Sequence, residues 1–210
     1  MPRNSRVKHL AAVAAGAVGA AALLIAPAAS AAPQAGPVQT TGVVTKTVAF
    51  TCAYPLIGNR LVSATVTATF PSSVAVGTPI NTTDFSVAVG LDATTVQALT
   101  LIGSATVEGT AVAGVDLVVN STALGVTLPG LTIPKTSVTG TPPVNLTITG
   151  PVPSLTVKAK GSVAIAIGST FTGKITPKRA DGTLTGLGTF DLTCSINAGQ
   201  NPALVTIPVV

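Results

Sequence analysis

Apolar and polar residues alternate along much of the chain from residue 43 onward. In LVSATVTATF, residues 61–70, every second position from Val62 to Phe70 is apolar, and Ser or Thr lies between. Successive side chains of a strand point to opposite faces of a sheet, so this period of two predicts a half-buried β-strand. The same alternation recurs in residues 85–91, 115–119, 155–160 and 171–175.

The residues within and between these segments predict the fold class. Val, Thr and Ile dominate the segments, and such β-branched residues favour a pleated surface. Asp-Gly, Gly-Pro and Pro-Pro steps recur between the segments, and no segment after the first 31 residues has the period of an amphipathic helix. This arrangement is typical of an antiparallel sandwich or barrel. We predict an all-β fold, specifically an antiparallel β-sandwich, immunoglobulin-like or similar.

The first 31 residues have the three parts of a secretory signal. Arg3, Arg6 and Lys8 form a basic region, an Ala-rich apolar run follows, and Ala29-Ser30-Ala31 supplies a cleavage pattern of small residues. An uncleaved anchor helix is the alternative, but the run is short and rich in Ala and Gly, which insert weakly into a bilayer. The predicted location is therefore extracellular, either secreted or associated with the cell wall, with no membrane span after cleavage. The predicted organisation is a signal peptide at 1–31, a flexible leader at 32–42 and a single domain at 43–207.

Both cysteines lie on the apolar faces of their segments. Cys52 is in phase with Phe50 and Tyr54, and Cys194 is in phase with Leu192. In an exported chain, two core-facing cysteines are most simply explained by one disulfide. A redox pair and a zinc site are weaker alternatives, because there is no CxxC and two thiols without a His do not make a zinc site. We predict one disulfide between Cys52 and Cys194.

Six prolines interrupt the segment between residues 129 and 153. Each Pro removes a ladder donor, so edge strands and crossing loops are predicted here rather than a central strand. A linker between two small domains is the alternative, but the predicted disulfide would then tie two separate domains across it. A single domain is the simpler interpretation.

Composition excludes one class of partner. The chain has 11 Lys and Arg against 6 Asp and Glu, but three of the basic residues lie in the predicted signal, which leaves 8 − 6 = +2. Trp is absent and Tyr54 is the only Tyr, so the stacking aromatics of a nucleic-acid-binding surface are missing. Nucleic acid is therefore not expected as a partner.

Residues suited to catalysis are scarce. His9, the only histidine, lies in the predicted signal, so the remaining chain cannot form a Ser-His-Asp or Cys-His arrangement. No calcium loop occurs, and the acidic residues are best interpreted as solvated charges in turns and on polar strand faces. We predict that the protein is not an enzyme and binds no cofactor or metal. The acidic residues are Asp84, Asp92, Glu108, Asp116, Asp181 and Asp191.

Charge is distributed unevenly along the chain. Residues 84–116 hold four acids and no base, whereas residues 158–179 hold five bases and no acid. If the strands that carry these bases are neighbours, the bases share one face and could hold an anionic envelope polymer weakly. The alternative is a solvated face that protects a sheet edge with Lys. The five bases are Lys158, Lys160, Lys174, Lys178 and Arg179.

Three segments carry a resemblance to a known family. TCAYPLIG at 51–58, LTIPKTSV at 131–138, and KRADGTLTGLGTFDLTC with GQNP within 178–202 resemble uncharacterised secreted domains of Streptomyces and related actinobacteria. The resemblance covers about residues 43–207. It implies an all-β exported or cell-surface protein whose paired cysteines open and close the domain. It implies no activity, ligand or functional residue.

Two classes of function remain for such a chain. The first is a non-catalytic interaction or structural module whose partner is an anionic envelope polymer or another surface protein. The second is a carrier of a small apolar ligand or lipid, since an aliphatic core with few large aromatics can leave a cavity between its sheets. A large closed apolar pocket would favour the carrier, and a packed core would favour the module. The sequence does not define the oligomeric state.

Overall fold

The computed structural model describes residues 41–138 and 142–210. The predicted signal peptide and residues 32–40 of the predicted leader lie outside the described residues. The elements, in chain order, are β1 (Thr41–Tyr54), β2 (Gly58–Pro71), β3 (Pro79–Ile80), β4 (Thr83–Leu91), α1 (Ala93–Leu101), β5 (Thr106–Val119), β6 (Thr122–Ser137), β7 (Val144–Thr149), β8 (Leu155–Thr156), β9 (Gly161–Lys178), β10 (Phe190–Ile196) and β11 (Ala203–Val209).

Eight of these strands close into a barrel. Their order is β10-β1-β2-β4-β7-β6-β5-β9, and β9 pairs again with β10, so the ring has no free end. The pairings around the ring are antiparallel. The predicted β-sandwich, immunoglobulin-like or similar, is therefore wrong, and the fold is an eight-stranded antiparallel β-barrel. Period-two alternation defines which face of each strand is buried, but it is the same whether the edges of a sheet meet or not.

The predicted apolar faces point into the barrel. Along β2, Val62, Ala64 and Val66 are buried while the Ser and Thr residues between them are more exposed. Val87 and Val89 of β4 are buried in the same cluster, as the alternation predicts. The interior of the barrel is the main hydrophobic core.

The disulfide between Cys52 and Cys194 is confirmed. β1 and β10 are neighbours, and Cys52 lies directly opposite Cys194 in their register. Both cysteines are buried in the barrel core. The bond links strands that are 142 residues apart in sequence and closes the ring covalently at that seam.

Beyond one end of the barrel, four strands continue as an open sheet. The second half of β9 pairs with β10, but its first half pairs with β11, and β5 and β6 continue alongside it. The change occurs at a bulge in β9 opposite Gly114 of β5, where a Cβ on Gly168 would lie 2.4 Å from the Gly114 carbonyl carbon. Only glycine allows the two backbones to approach so closely. A second, smaller core that includes Phe70, Val163 and Ile207 packs at this end.

Among the described residues there is one helix, α1, which the alternation of apolar and polar residues does not predict. Asp92 caps the N-terminus of α1 by accepting a 2.8 Å hydrogen bond from the Thr95 N–H. The helix ends at Leu101 with Ile102 as its C-cap, and Gly103 follows with a φ of 75°, a conformation that glycine adopts most easily. The Ser104 N–H donates to the Leu99 carbonyl at 2.9 Å. Only Thr95, Val96 and Leu99 are buried, so a nine-residue helix with so short an apolar stripe left little periodic signal.

The prolines weaken one seam of the barrel. β6 and β7 are joined in register only at Thr132 and Thr149, whereas their neighbours pair over many residues. Pro129 and Pro134 lie within β6 and supply no N–H to a ladder, which accounts for the short pairing. Edge strands were predicted for residues 129–153, but the second half of β6 and all of β7 are part of the ring. The free edge is the first half of β6, which precedes the proline-rich segment.

Candidate functional site

The interior of the barrel contains an apolar cavity of about 80 Å³. All eight strands of the ring and α1 contribute to its lining, and most of the side chains are aliphatic or Phe. Along β2 the lining runs from Val62 to Val66, or about 13 Å at 3.3 Å per residue. The lining therefore extends over several residue steps along the inside of the barrel wall.

Polar side chains in the cavity lie near its two ends. Tyr54 and Thr95 are at the end covered by α1, and Thr170 is near the opposite end, where β9 leaves the barrel. Burial and then the negative charge of Asp92 raise the pKa of Tyr54 to about 12. The Tyr54 hydroxyl is therefore neutral at physiological pH, and its surroundings disfavour an added negative charge.

A smaller cavity of about 30 Å³ lies outside the α1 end of the barrel. It is bounded by the turn between β1 and β2, by α1, and by residues 187–190. Tyr54, Thr95, Leu99 and Phe190 line both cavities. These four side chains lie between the barrel interior and the smaller cavity, and together they are called the partition.

An ion pair fastens α1 to the barrel wall beside the partition. Arg60 of β2 contacts Asp92 at 2.6 Å, and Asp92 also caps α1 through Thr95. Burial opposes ionisation of Asp92, but the hydrogen bonds from Thr95 and Arg60 outweigh it and lower the pKa of this carboxyl. Asp92 is thus a structural charge that fixes the position of α1 over the cavity.

Two leucines at the same end are exposed to solvent. Leu101, at the end of α1, is 88% exposed, and Leu56, in the turn between β1 and β2, is 72% exposed. Leu56 has a φ of 81°, in a region that costs a branched side chain free energy and usually holds glycine. An apolar side chain is therefore held in solvent beside the smaller cavity, which distinguishes this end of the barrel.

The five predicted basic residues are divided between the two ends of β9. Lys158 and Lys160 are exposed in the segment before β9 and lie outside the strands, contrary to the assumption made from their alternation. Lys174 contacts Asp191 at 2.9 Å and Lys178 contacts Glu108 at 2.5 Å. Arg179 donates to the Leu184 carbonyl at 2.9 Å. The structure therefore does not place the five on one continuous strip, and binding of an anionic envelope polymer by them stays a prediction.

The described part of the chain lacks a metal-binding cluster and a membrane-spanning helix. Residues 41–138 and 142–210 contain no group of three or more His, Cys, Asp or Glu side chains placed to hold a metal ion. Within the same ranges, no helix has the length and hydrophobicity needed to cross a membrane.

The fold and the site define a class: a disulfide-linked, eight-stranded β-barrel with an apolar interior cavity. A family model described as a family of unknown function (DUF6801) matches residues 49–205, and the chain belongs to this family. The match lies within the region for which a family resemblance was predicted. No curated protein shows significant similarity to the chain. No solved structure does so either.

The sequence does not predict which residues line the cavity. The alternation predicts that Ala64 and Val66 face inward, but whether inward side chains meet or leave a space depends on the closure of the ring. Asp92 followed by Val96, Leu99 and Gly103 was the available signal for α1. The helix lies between two segments with strand periodicity, and its apolar stripe is too short to stand out from them.

Proposed function

We propose that the protein is an exported, non-catalytic β-barrel that binds a small aliphatic ligand in its interior. The observation that carries this proposal is the apolar cavity lined from every strand of the ring. Barrels of eight strands are just wide enough either to be filled by side chains or to hold one small ligand. Export is supported by the signal-like first 31 residues and by the disulfide, a bond that persists mainly in oxidising compartments.

The size of the cavity selects the class of ligand. An engineered cavity of about 150 Å³ accepts benzene, and the cavity here has about 80 Å³. It is also several residue steps long, so an unbranched alkyl chain fits its dimensions better than a ring does. The ligand is therefore a linear aliphatic molecule, or the alkyl part of one.

The polar residues select the ligand's head group and its orientation. Tyr54 and Thr95 offer hydroxyl groups at the α1 end, whereas the middle of the cavity is lined by aliphatic side chains. Asp92 is ionised nearby, and Tyr54 resists ionisation. An uncharged head such as an alcohol is accordingly favoured over a carboxylate, and the alkyl chain enters past the partition from the α1 end.

Tyr54 provides a direct test. It is the only Tyr, the chain has no Trp, and it lines the cavity, so its fluorescence reports events in the cavity without interference. Titration with n-alkanols of increasing length should give saturable changes with an optimum length. The matching n-alkanoates should bind more weakly at neutral pH, and benzene should bind poorly.

A pair of Ala→Leu substitutions supplies the control. Ala64 is buried and lines the cavity, whereas Ala88 is exposed on β4. Ala64→Leu should fill the space and abolish the fluorescence response, and Ala88→Leu should leave it unchanged. No saturable response in the unmodified protein, or an equal response in both variants, would exclude binding in the cavity.

An interaction module remains a second candidate, and one observation favours it. The first half of β6 is an exposed strand edge without a charged residue. Failure of the alkanol titration would leave this class as the better proposal, with a surface protein or an envelope polymer as the partner.

A further inference from the structure

The first half of β6 is a free edge of the open sheet. Residues 122–128 pair with β5 on one side, and among the described residues no strand pairs with their other side before Thr132. Residues 122–127 are all exposed. Free edges of this kind are templates for pairing with another strand, and monomeric proteins usually protect them with charge or Pro. Here residues 117–134, between Asp116 and Lys135, contain no charge.

The adjacent turn determines which backbone groups point outward. β5 and β6 are joined by Asn120 and Ser121, both with positive φ, and Val119 is paired with Thr122. In a two-residue hairpin of this kind the flanking pair is hydrogen-bonded, and such pairs alternate along the ladder. The backbone N–H and C=O groups of residues 122, 124 and 126 therefore point toward β5. The backbone N–H and C=O groups of Ala123, Gly125 and Thr127 point outward from the free edge.

The hairpin is held in place before any partner arrives. Asn120 N–H donates to the Ser162 carbonyl at 3.0 Å, and the Asn120 side-chain oxygen accepts from Ser162 N–H at 2.9 Å. These bonds fasten the turn to the start of β9. Pairing at a preorganised edge loses less conformational entropy than pairing at a mobile one.

We propose that this edge pairs with the same edge of a second copy of the chain. Antiparallel pairing about a two-fold axis at Gly125 sets Gly125 opposite its own copy and Ala123 opposite Thr127 of the other copy. All three positions carry outward-facing backbone groups, so the register forms about six hydrogen bonds. The backbone donors and acceptors of the edge therefore match those of the same edge in a second copy.

Side chains agree with this register. Leu124 and Val126 are 47% and 40% exposed, and they share a face with Leu117 and Val115, their partners on β5. In the self-paired register, Leu124 of each copy lies opposite Val126 of the other copy. Four exposed aliphatic side chains are covered together, and the paired strand segments carry no charge themselves.

The expected dimer is weak, because one strand pairing over about seven residues covers less than the roughly 800 Å² per partner of a standard interface. Sedimentation velocity from about 1 μM to about 1 mM should show a mass that rises from one chain toward two. Val126→Lys should reduce self-association at least about tenfold, since it places like charges close together across the axis. Val112→Lys is the matched control: Val112 is 37% exposed but lies on β5, between β6 and β9 and away from the free edge, so association should persist.

Cysteine substitutions test the register. Gly125 and its copy are expected about 5.5 Å apart between Cα atoms, within the range of a disulfide. Ala123 and its copy are about 13 Å apart along the strands. Mild oxidation should therefore cross-link Gly125→Cys into a covalent dimer and leave Ala123→Cys monomeric.

Three outcomes would overturn the proposal. The first is a mass of one chain at every concentration. Slow hydrogen exchange of the Gly125 amide under those conditions would show that another segment of the chain covers the edge. The second is equal association of the two Lys variants. The third is equal cross-linking of the two Cys variants, which would indicate unspecific contact.

Discussion

At the scale of single residues, Tyr54 connects the barrel interior with its surroundings. Its ring lines both cavities, and its neighbours Thr95, Leu99 and Phe190 complete the partition. Because the hydroxyl is buried and lies near Asp92, ionising it costs free energy in the folded protein. The ionisation of Tyr54 therefore reports how dry this end of the cavity is.

The first prediction is an alkaline loss of stability that depends on Tyr54. Its pKa is raised from 10.0 to about 12, so the folded state holds this proton more tightly than the unfolded state. The corresponding stability is fully present below pH 10 and is lost as the pH rises toward 12. Tyrosinate absorbance should titrate well above pH 10, since no other Tyr or Trp contributes.

Tyr54→Phe is the control for this titration. The variant should show a shallower fall in the free energy of unfolding between pH 10 and about 12, because it lacks the titrating group. Titration of the folded protein near pH 10, together with parallel stability curves for the two proteins, would contradict the burial of the hydroxyl.

At the scale of elements, α1 is a cap held by few interactions. Its buried face consists of Thr95, Val96 and Leu99, and its N-terminus depends on Asp92. The Asp92 carboxylate both caps the helix and contacts Arg60. Two different substitutions of Asp92 can separate its role as a helix cap from its role in the ion pair.

The second prediction compares Asp92→Ala with Asp92→Asn. Ala removes both the cap and the ion pair, and loss of an N-cap costs about 1 kcal/mol. Asn is as good a cap as Asp but lacks the charge, so it should cost less, since partly exposed ion pairs contribute little. Urea unfolding of the three proteins measures the difference. Equal losses would show that the ion pair, rather than the cap, holds α1.

Sequence periodicity predicted individual strands well and their assembly poorly. Val62, Ala64 and Val66 were assigned to the buried face because alternation depends only on local geometry. The closure of β9 onto β10 depends on the bulge beside Gly114 and on strand curvature, which leave no periodic trace. α1 was missed for a different reason: its fixed points, Asp92 and Gly103, lie at its ends, while the segment between them is rich in Thr.

At the scale of the whole molecule, closure of the ring joins distant parts of the chain. β1 and β10 pair over only Phe50–Ala53, with Cys52 and Cys194 opposite each other within that short ladder. On the far side of the ring, β6 and β7 pair at a single position. The disulfide therefore reinforces one of two short seams, and the other has no covalent link.

The third prediction is a large loss of stability when the disulfide is removed. A loop of 142 residues corresponds to as much as about 5 kcal/mol in the loop-entropy description. Cys52→Ala combined with Cys194→Ala should lower the free energy of unfolding by a similar order, and a reductant should have no further effect on this variant. Detection of two reactive thiols in the folded, unreduced protein would contradict the bond.

The central claim, that the barrel interior binds an aliphatic chain, is tested most directly by calorimetric titration of an n-alkanol at several temperatures. Burial of the chain in a dry apolar cavity predicts a saturable heat with one ligand per protein and a negative heat-capacity change. The same titration of Ala64→Leu should give no saturable heat. A weak, non-saturating heat that is equal in the two proteins would mean that the alkanol only adsorbs to the surface, and would contradict the account.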